Sequence, residues 1–163
     1  MLLLGLAEGD AGQARAELEH LWDSGKALER FVAWITAQGG DARIVDDYRL
    51  LPLAPVEHVI GAPRSGYLSG IDARTFGLVS VDLGAGRRVK EDTIDPGVGI
   101  VLHAGIGQAV ERGAPLITVY ARTMADAMAA EKALLAACHW SGEPVAEPPI
   151  IYEVLRDPSV DKR

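Results

Sequence analysis

Gly84-Ala85-Gly86-Arg87-Arg88 is the segment of this sequence best suited to holding an anion. Closely spaced glycines can turn backbone N–H groups inward, and two guanidiniums follow at once. The chemistry on offer is phosphate recognition. The pattern is short of a dinucleotide fingerprint, because the remaining glycine is missing, and no Gly-Lys-Ser/Thr follows as in a phosphate-cradling loop. The downstream acids Glu91, Asp92 and Asp95 offer the arginines ion-pair partners, which favours a charged turn closed upon itself. The alternative, for a stretch with so few apolar anchors, is a hinge-side loop, with Gly84, Gly86, Arg87, Asp92 and Asp95 as the candidate set.

The other reactive residue types are scattered. His20 and His139 fall on predicted helices and His58 and His103 on predicted strands, so no two share a metal-binding spacing. Cys138, the single cysteine, is expected on the apolar face of an alanine-rich helix, where it acts as a small hydrophobe without a basic neighbour to activate it. Asp46-Asp47 and the pair Asp92/Asp95 are carboxylates of the kind hydrolases use, but turn capping accounts for all four. No catalytic residue and no metal site is therefore assigned. Gly105 to Leu116 reads as a turn, an inward valine and a Gly-x-Pro-Leu entry to a strand. It resembles the hairpin of barrel-sandwich modules such as biotinyl and lipoyl carriers. The carriers' tip lysine has no counterpart, since Lys90 sits in an acidic run, Lys26 and Lys132 on helices and Lys162 in the tail.

The elements that hold these residues fall into two vocabularies. Up to Gly40 the pattern is helical. Asp10 with Gln13 forms a capping box ahead of Ala14, Leu18, Leu21 and Trp22, and Ser24 caps a second helix carrying Leu28, Phe31, Val32 and Ile35 on one side. Gly39-Gly40 ends it. Met1 to Leu6 reads as the last turns of an apolar helix with no start signal, an expectation that something precedes it. Residues 41–55, broken by Pro52 and Pro55, are expected to run as an extended linker. Strands follow at 56–60, 66–71, 98–103 and 116–121, with a short helix at 72–83. Thr123 and Asp126 then cap a helix reaching about Trp140, and 150–155 is a last strand before a loose tail.

Composition bounds the function. The 163 residues, 48% hydrophobic, suffice for one compact domain and a small helical annex. Sixteen basic against 23 acidic residues give a net charge of -7, which argues against nucleic-acid or anionic-membrane surfaces. No apolar run approaches the ~20 residues that span a bilayer. The opening Met1-Leu2-Leu3-Leu4 lacks a basic start and soon meets Glu8 and Asp10, unlike a signal peptide. A cytoplasmic protein is expected.

Several short blocks, taken together and in order, carry a family resemblance. Ser24-Gly25-Lys26-Ala27-Leu28-Glu29-Arg30-Phe31, Gln38-Gly39-Gly40-Asp41, Val45-Asp46-Asp47 and Leu51-Pro52 come first. Leu83-Gly84-Ala85-Gly86-Arg87, Lys90-Glu91-Asp92-Thr93-Ile94-Asp95, Val98-Gly99 and Gly113-Ala114-Pro115-Leu116 follow. The chain thereby resembles the C-terminal portion of the pyrimidine-nucleoside and thymidine phosphorylases, with the C-terminal domain of AMP phosphorylases as a related alternative. An independent barrel-sandwich binding module is the reading from a different class. The resemblance implies an α+β fold: a helical tail of the catalytic α/β domain over 1–40, a linker over 41–55, an α/β hammerhead-like (barrel-sandwich hybrid) domain over 56–155 and a tail over 156–163. It implies phosphorolysis of a pyrimidine nucleoside to base and pentose 1-phosphate, with phosphate as co-substrate and a monovalent cation. It implies the rest of the phosphorylase chain, and a homodimer, as partners. The family's Lys-x-Ser-x-Gly-Gly-Val-Gly-Asp loop and its base-binding Arg, Ser and Lys have no counterpart here. The expectation is a chain inactive by itself.

Overall fold

The computed structural model describes residues 11–153. The chain divides between Leu51 and Pro52 into two compact units.

The first unit contains helices α1 (Ala11–Asp23) and α2 (Lys26–Ala37). The expected Asp10 cap lies outside the described residues. Ser24 does not cap α2: its hydroxyl donates back to Leu21 O at 3.4 Å. Gly25 takes the cap position with φ 77°, and Glu29 N–H donates to its carbonyl. The joint between the helices needs a left-handed residue, which glycine adopts without a Cβ clash. Gly39 and Gly40 end α2 as expected, their N–H groups donating to Thr36 O and Ile35 O. The apolar faces form but are only partly covered. Ala14 and Ile35 are buried, whereas Trp22 is 79% and Trp34 57% exposed. Residues 41–51 do not run extended. Asp41 and Asp47 each accept from the backbone N–H and the guanidinium of the arginine two positions on, Arg43 and Arg49, folding 3-10 turns at Ala42–Val45 and Tyr48–Leu50. A carboxylate that bonds its own neighbours gives the backbone a local alternative to extension.

The second unit holds β1 (Val56–Gly61), β2 (Gly66–Ile71), α3 (Ala73–Leu83), β3 (Gly99–Leu102), β4 (Ala109–Val110), β5 (Pro115–Ala121), α4 (Met124–Ala136) and β6 (Cys138–Ser141). Two three-stranded antiparallel sheets result, ordered β1-β5-β3 and β4-β2-β6. The fold is α+β. Strand β5 is central in its sheet and buries Leu116, Ile117, Thr118, Val119 and Ala121, as a continuous apolar run predicts. Those side chains join Ile60, Leu68, Val79, Leu83 and Leu134 in one core. Asp72 caps α3 through Arg74 N and Thr75 N, and Thr123 caps α4 through Asp126 N at 3.1 Å.

Three expectations are corrected here. The helix expected to reach Trp140 stops at Ala136, and Cys138–Ser141 forms β6 against β2, pairing Ile71 with Cys138 and Leu68 with Trp140. The open edge of β2 offers ladder bonds that one more helical turn would forgo. The stretch 105–116 is not a two-stranded hairpin either, because β4 pairs with β2 while β5 pairs with β1 and β3. Val110 does point inward, 9% exposed. The last strand expected at 150–155 is absent from its described part, where Ile150 is fully exposed.

Candidate functional site

The candidate loop leaves α3 at Gly84 and returns to β3. Gly84 ends the helix with φ 109°, and a Cβ there would lie 2.9 Å from Arg122 Nη2. At Gly86 a Cβ would lie 2.7 Å from Val81 Cγ2. Both glycines thus serve close approach of the chain. Gly84 N–H and Ala85 N–H donate to carbonyls of α3, so they are not turned toward an anion. Further on, Asp92 Oδ2 accepts from Arg88 N at 2.9 Å and Val89 N at 3.1 Å. The nearest thing to an anion nest in the loop is filled by the loop's own carboxylate.

Asp95 closes the base of the loop. Its N–H donates to Gly84 O at 2.9 Å, its Oδ1 accepts from Gly97 N at 2.9 Å, and its Oδ2 accepts from Arg122 Nε at 2.7 Å. The hydrogen bond from Arg122, reinforced by that from Gly97, holds the Asp95 carboxyl below the usual carboxylate range. The expected pairing of the loop arginines with Glu91, Asp92 or Asp95 does not occur between side chains. The Arg88 guanidinium pairs with Asp82 on α3, which raises its pKa. Arg122 occupies Asp95. Arg87 is exposed and makes no hydrogen bond or ion pair with the described residues. Of the sequence candidates, Gly84, Asp92 and Asp95 therefore build the loop, Gly86 packs it on α3, and Arg87 projects from it. Arg122 was missed by sequence reasoning, and nothing local signals its bond to a residue 27 positions away.

The other reactive groups are structural. His58 Nε2 meets Glu131 Oε2 at 2.6 Å, tying β1 to α4, and His103 Nε2 meets Thr118 Oγ1 at 2.7 Å. His139 lies on β6 rather than a helix, opposite Gly70. Cys138 shares that strand, and burial pushes its thiol pKa up. Asp47 caps its turn, and Asp46 ends the preceding one. No three of His, Cys, Asp and Glu gather among the described residues to hold a metal ion. No helix among them is long and apolar enough to cross a membrane.

Residues 67–141, from β2 to β6 with the whole candidate loop, match the family model of the pyrimidine nucleoside phosphorylase C-terminal domain. The chain is 44% identical over 121 residues to the pyrimidine-nucleoside phosphorylase of Bacillus subtilis (strain 168), covering 74% of this chain and 28% of that one. It is 38% identical over 156 residues to the pyrimidine-nucleoside phosphorylase of Geobacillus stearothermophilus, covering 95% of this chain and 36% of that one. A Staphylococcus epidermidis pyrimidine-nucleoside phosphorylase is 40% identical over 123 residues, 76% of this chain and 28% of its own. The chain spans about a third of the length of these curated relatives. With its α+β unit, the domain match over residues 67–141 and these relatives at 38–44% identity, the chain belongs to the pyrimidine-nucleoside phosphorylase family, of which it carries the C-terminal portion.

Proposed function

We propose that this chain acts as the C-terminal part of a pyrimidine-nucleoside phosphorylase and is inactive without the rest of that enzyme. In the reaction, a phosphate oxygen forms a bond to C1′ of the nucleoside, the C1′–N bond breaks, and the base leaves with a proton. The domain-family match over residues 67–141 carries the reading. It is supported by the loop's chemistry: the donors at Arg88 N, Val89 N and Gly97 N are already bonded to Asp92 and Asp95. Phosphate, base and the family's monovalent cation are therefore held by segments outside this chain, and the chain's partners are those segments in a cytoplasmic homodimer. Without them, positioning and charge stabilisation of the transition state are lost.

Arg87 is this chain's contribution. An exposed, unpaired guanidinium on a loop anchored at its base can reach a facing surface and favour a closed cleft, acting through gating. The experiment compares the isolated chain with a chimera in which it replaces the matched part of the Geobacillus stearothermophilus relative. With uridine or thymidine and phosphate, the chain alone is expected to release no base above background, and the chimera to restore release. Turnover near ~1 s⁻¹ by the isolated chain would sink the reading. Arg87→Ala in the chimera should lower kcat about tenfold, equivalent to about 1.4 kcal/mol, at an unchanged melting temperature. An unaltered kcat would end the gating role.

A further inference from the structure

Arg122 follows the buried central strand β5 and directly precedes Thr123, the cap of α4. Its backbone is thus held by two packed elements. Its guanidinium reaches both ends of the candidate loop. Nε donates to Asp95 Oδ2 at 2.7 Å, and Nη2 lies where a Cβ on Gly84 would be only 2.9 Å away. Asp95 in turn binds Gly84 O through its N–H and caps Gly97 through Oδ1. Gly97 O accepts from Ala54 N at 2.9 Å, and Arg88 is tied to Asp82 on α3. Every tie in this set acts on the base or flank of the loop, and Arg87 and Lys90 remain exposed on it.

We infer that Arg122 is a positioning residue: through Asp95 it clamps the two ends of the loop and so fixes where Arg87 is presented. The inference rests on the reading of Arg87 as a closure residue and names what controls it. The side chains of Arg122 and Asp95 are 53% and 29% exposed, and pairs this open to water add little to global stability. Removing the clamp should therefore free the loop without unfolding the domain, a local opening of the kind that proteases detect.

Trypsin reads this directly on the intact 163-residue chain, since Arg87, Arg88 and Lys90 are all cleavable and Lys132 on α4 reports global opening. Arg122→Gln is expected to speed cleavage in the loop at least tenfold while the Lys132 site changes less than twofold. Arg122→Lys, which keeps a cation at the same place, should recover most of the protection. Asp95→Asn is the second variant, and it should open the loop in the same selective way. Loop cleavage that rises only in step with Lys132 overturns the proposal, as does global unfolding of both the Gln and the Asn variants. In the chimera, Arg122→Gln should lower kcat as much as Arg87→Ala does, leave KM unchanged, and add no further loss in the double variant. If Arg87→Ala slows turnover and Arg122→Gln does not, positioning by Arg122 is wrong. If Arg87→Ala is without effect, the closure reading fails instead, and positioning of a functional Arg87 falls with it; selective loop cleavage would then support only the clamp.

Discussion

Helix α3 and its C-cap hold two glycines that should respond to alanine with opposite sign. Gly77 lies in mid-helix, exposed, and a Cβ there would meet nothing within 4 Å. Alanine at that position restricts the unfolded chain and favours the helix, so Gly77→Ala should stabilise by about 0.5–1 kcal/mol. Gly84 ends the same helix at φ 109°. A Cβ in that left-handed conformation costs about 1–2 kcal/mol. The new methyl would also sit 2.9 Å from Arg122 Nη2. That atom ends a flexible side chain, which can swing away, but doing so forfeits its bond to Asp95, worth about 0–1 kcal/mol for an exposed pair. Gly84→Ala should thus destabilise by about 1–3 kcal/mol, and the two variants should differ by about 1.5–4 kcal/mol. Urea unfolding followed by Trp140 fluorescence, in a Trp22→Phe/Trp34→Phe background that leaves one of the three tryptophans, reports on the second unit alone. With a slope of about 1.5 kcal/mol per molar urea, the midpoints should separate by about 1 M or more. A Gly84→Ala midpoint at or above that of the parent, or a Gly77→Ala midpoint below it, would refute the reasoning.

Other expectations follow from single sites. Asp41 has its pKa lowered from 3.8 to about 2, first by the Arg43 side-chain hydrogen bond and then by the Arg43 backbone N–H. Because the folded value is the lower one, the bond's small contribution is present above pH ~4 and is lost as pH falls toward 2. A carboxyl NMR titration should place the Asp41 midpoint well below that of Asp41 in the Arg43→Ala variant. Cys138 is 6% exposed with its pKa raised by burial, so its thiol should stay unreactive toward a disulfide reagent at pH 8 until denaturant is added. Rapid modification of the native chain would contradict that burial. The helices of the first unit carry Trp22, Leu28, Phe31 and Trp34 more than 40% exposed. Amide exchange in residues 11–38 of the isolated chain should therefore open well before residues 98–135, and equal protection in a monomer would count against it.

What the sequence determined by itself is whatever closes within a few residues. Asp72 reaches Arg74 N and Thr75 N, Thr123 reaches Asp126 N, and Gly39-Gly40 turn back on Ile35 and Thr36, so these boundaries could be read from residue type and spacing. The same holds for β5, whose unbroken apolar run can only be buried. The tertiary structure decided everything that needs a distant partner. Cys138–Ser141 became a strand because β2 had an edge to offer, not because its residues prefer one. β4 and β5, four residues apart, entered different sheets. The loop arginines lost the acids nearest in sequence: Asp92 turned to backbone N–H groups, and Asp95 took Arg122 from the far end of β5. A carboxylate accepts from whichever donors the packed chain holds still within about 3 Å, and sequence spacing sets that distance only across a turn or two.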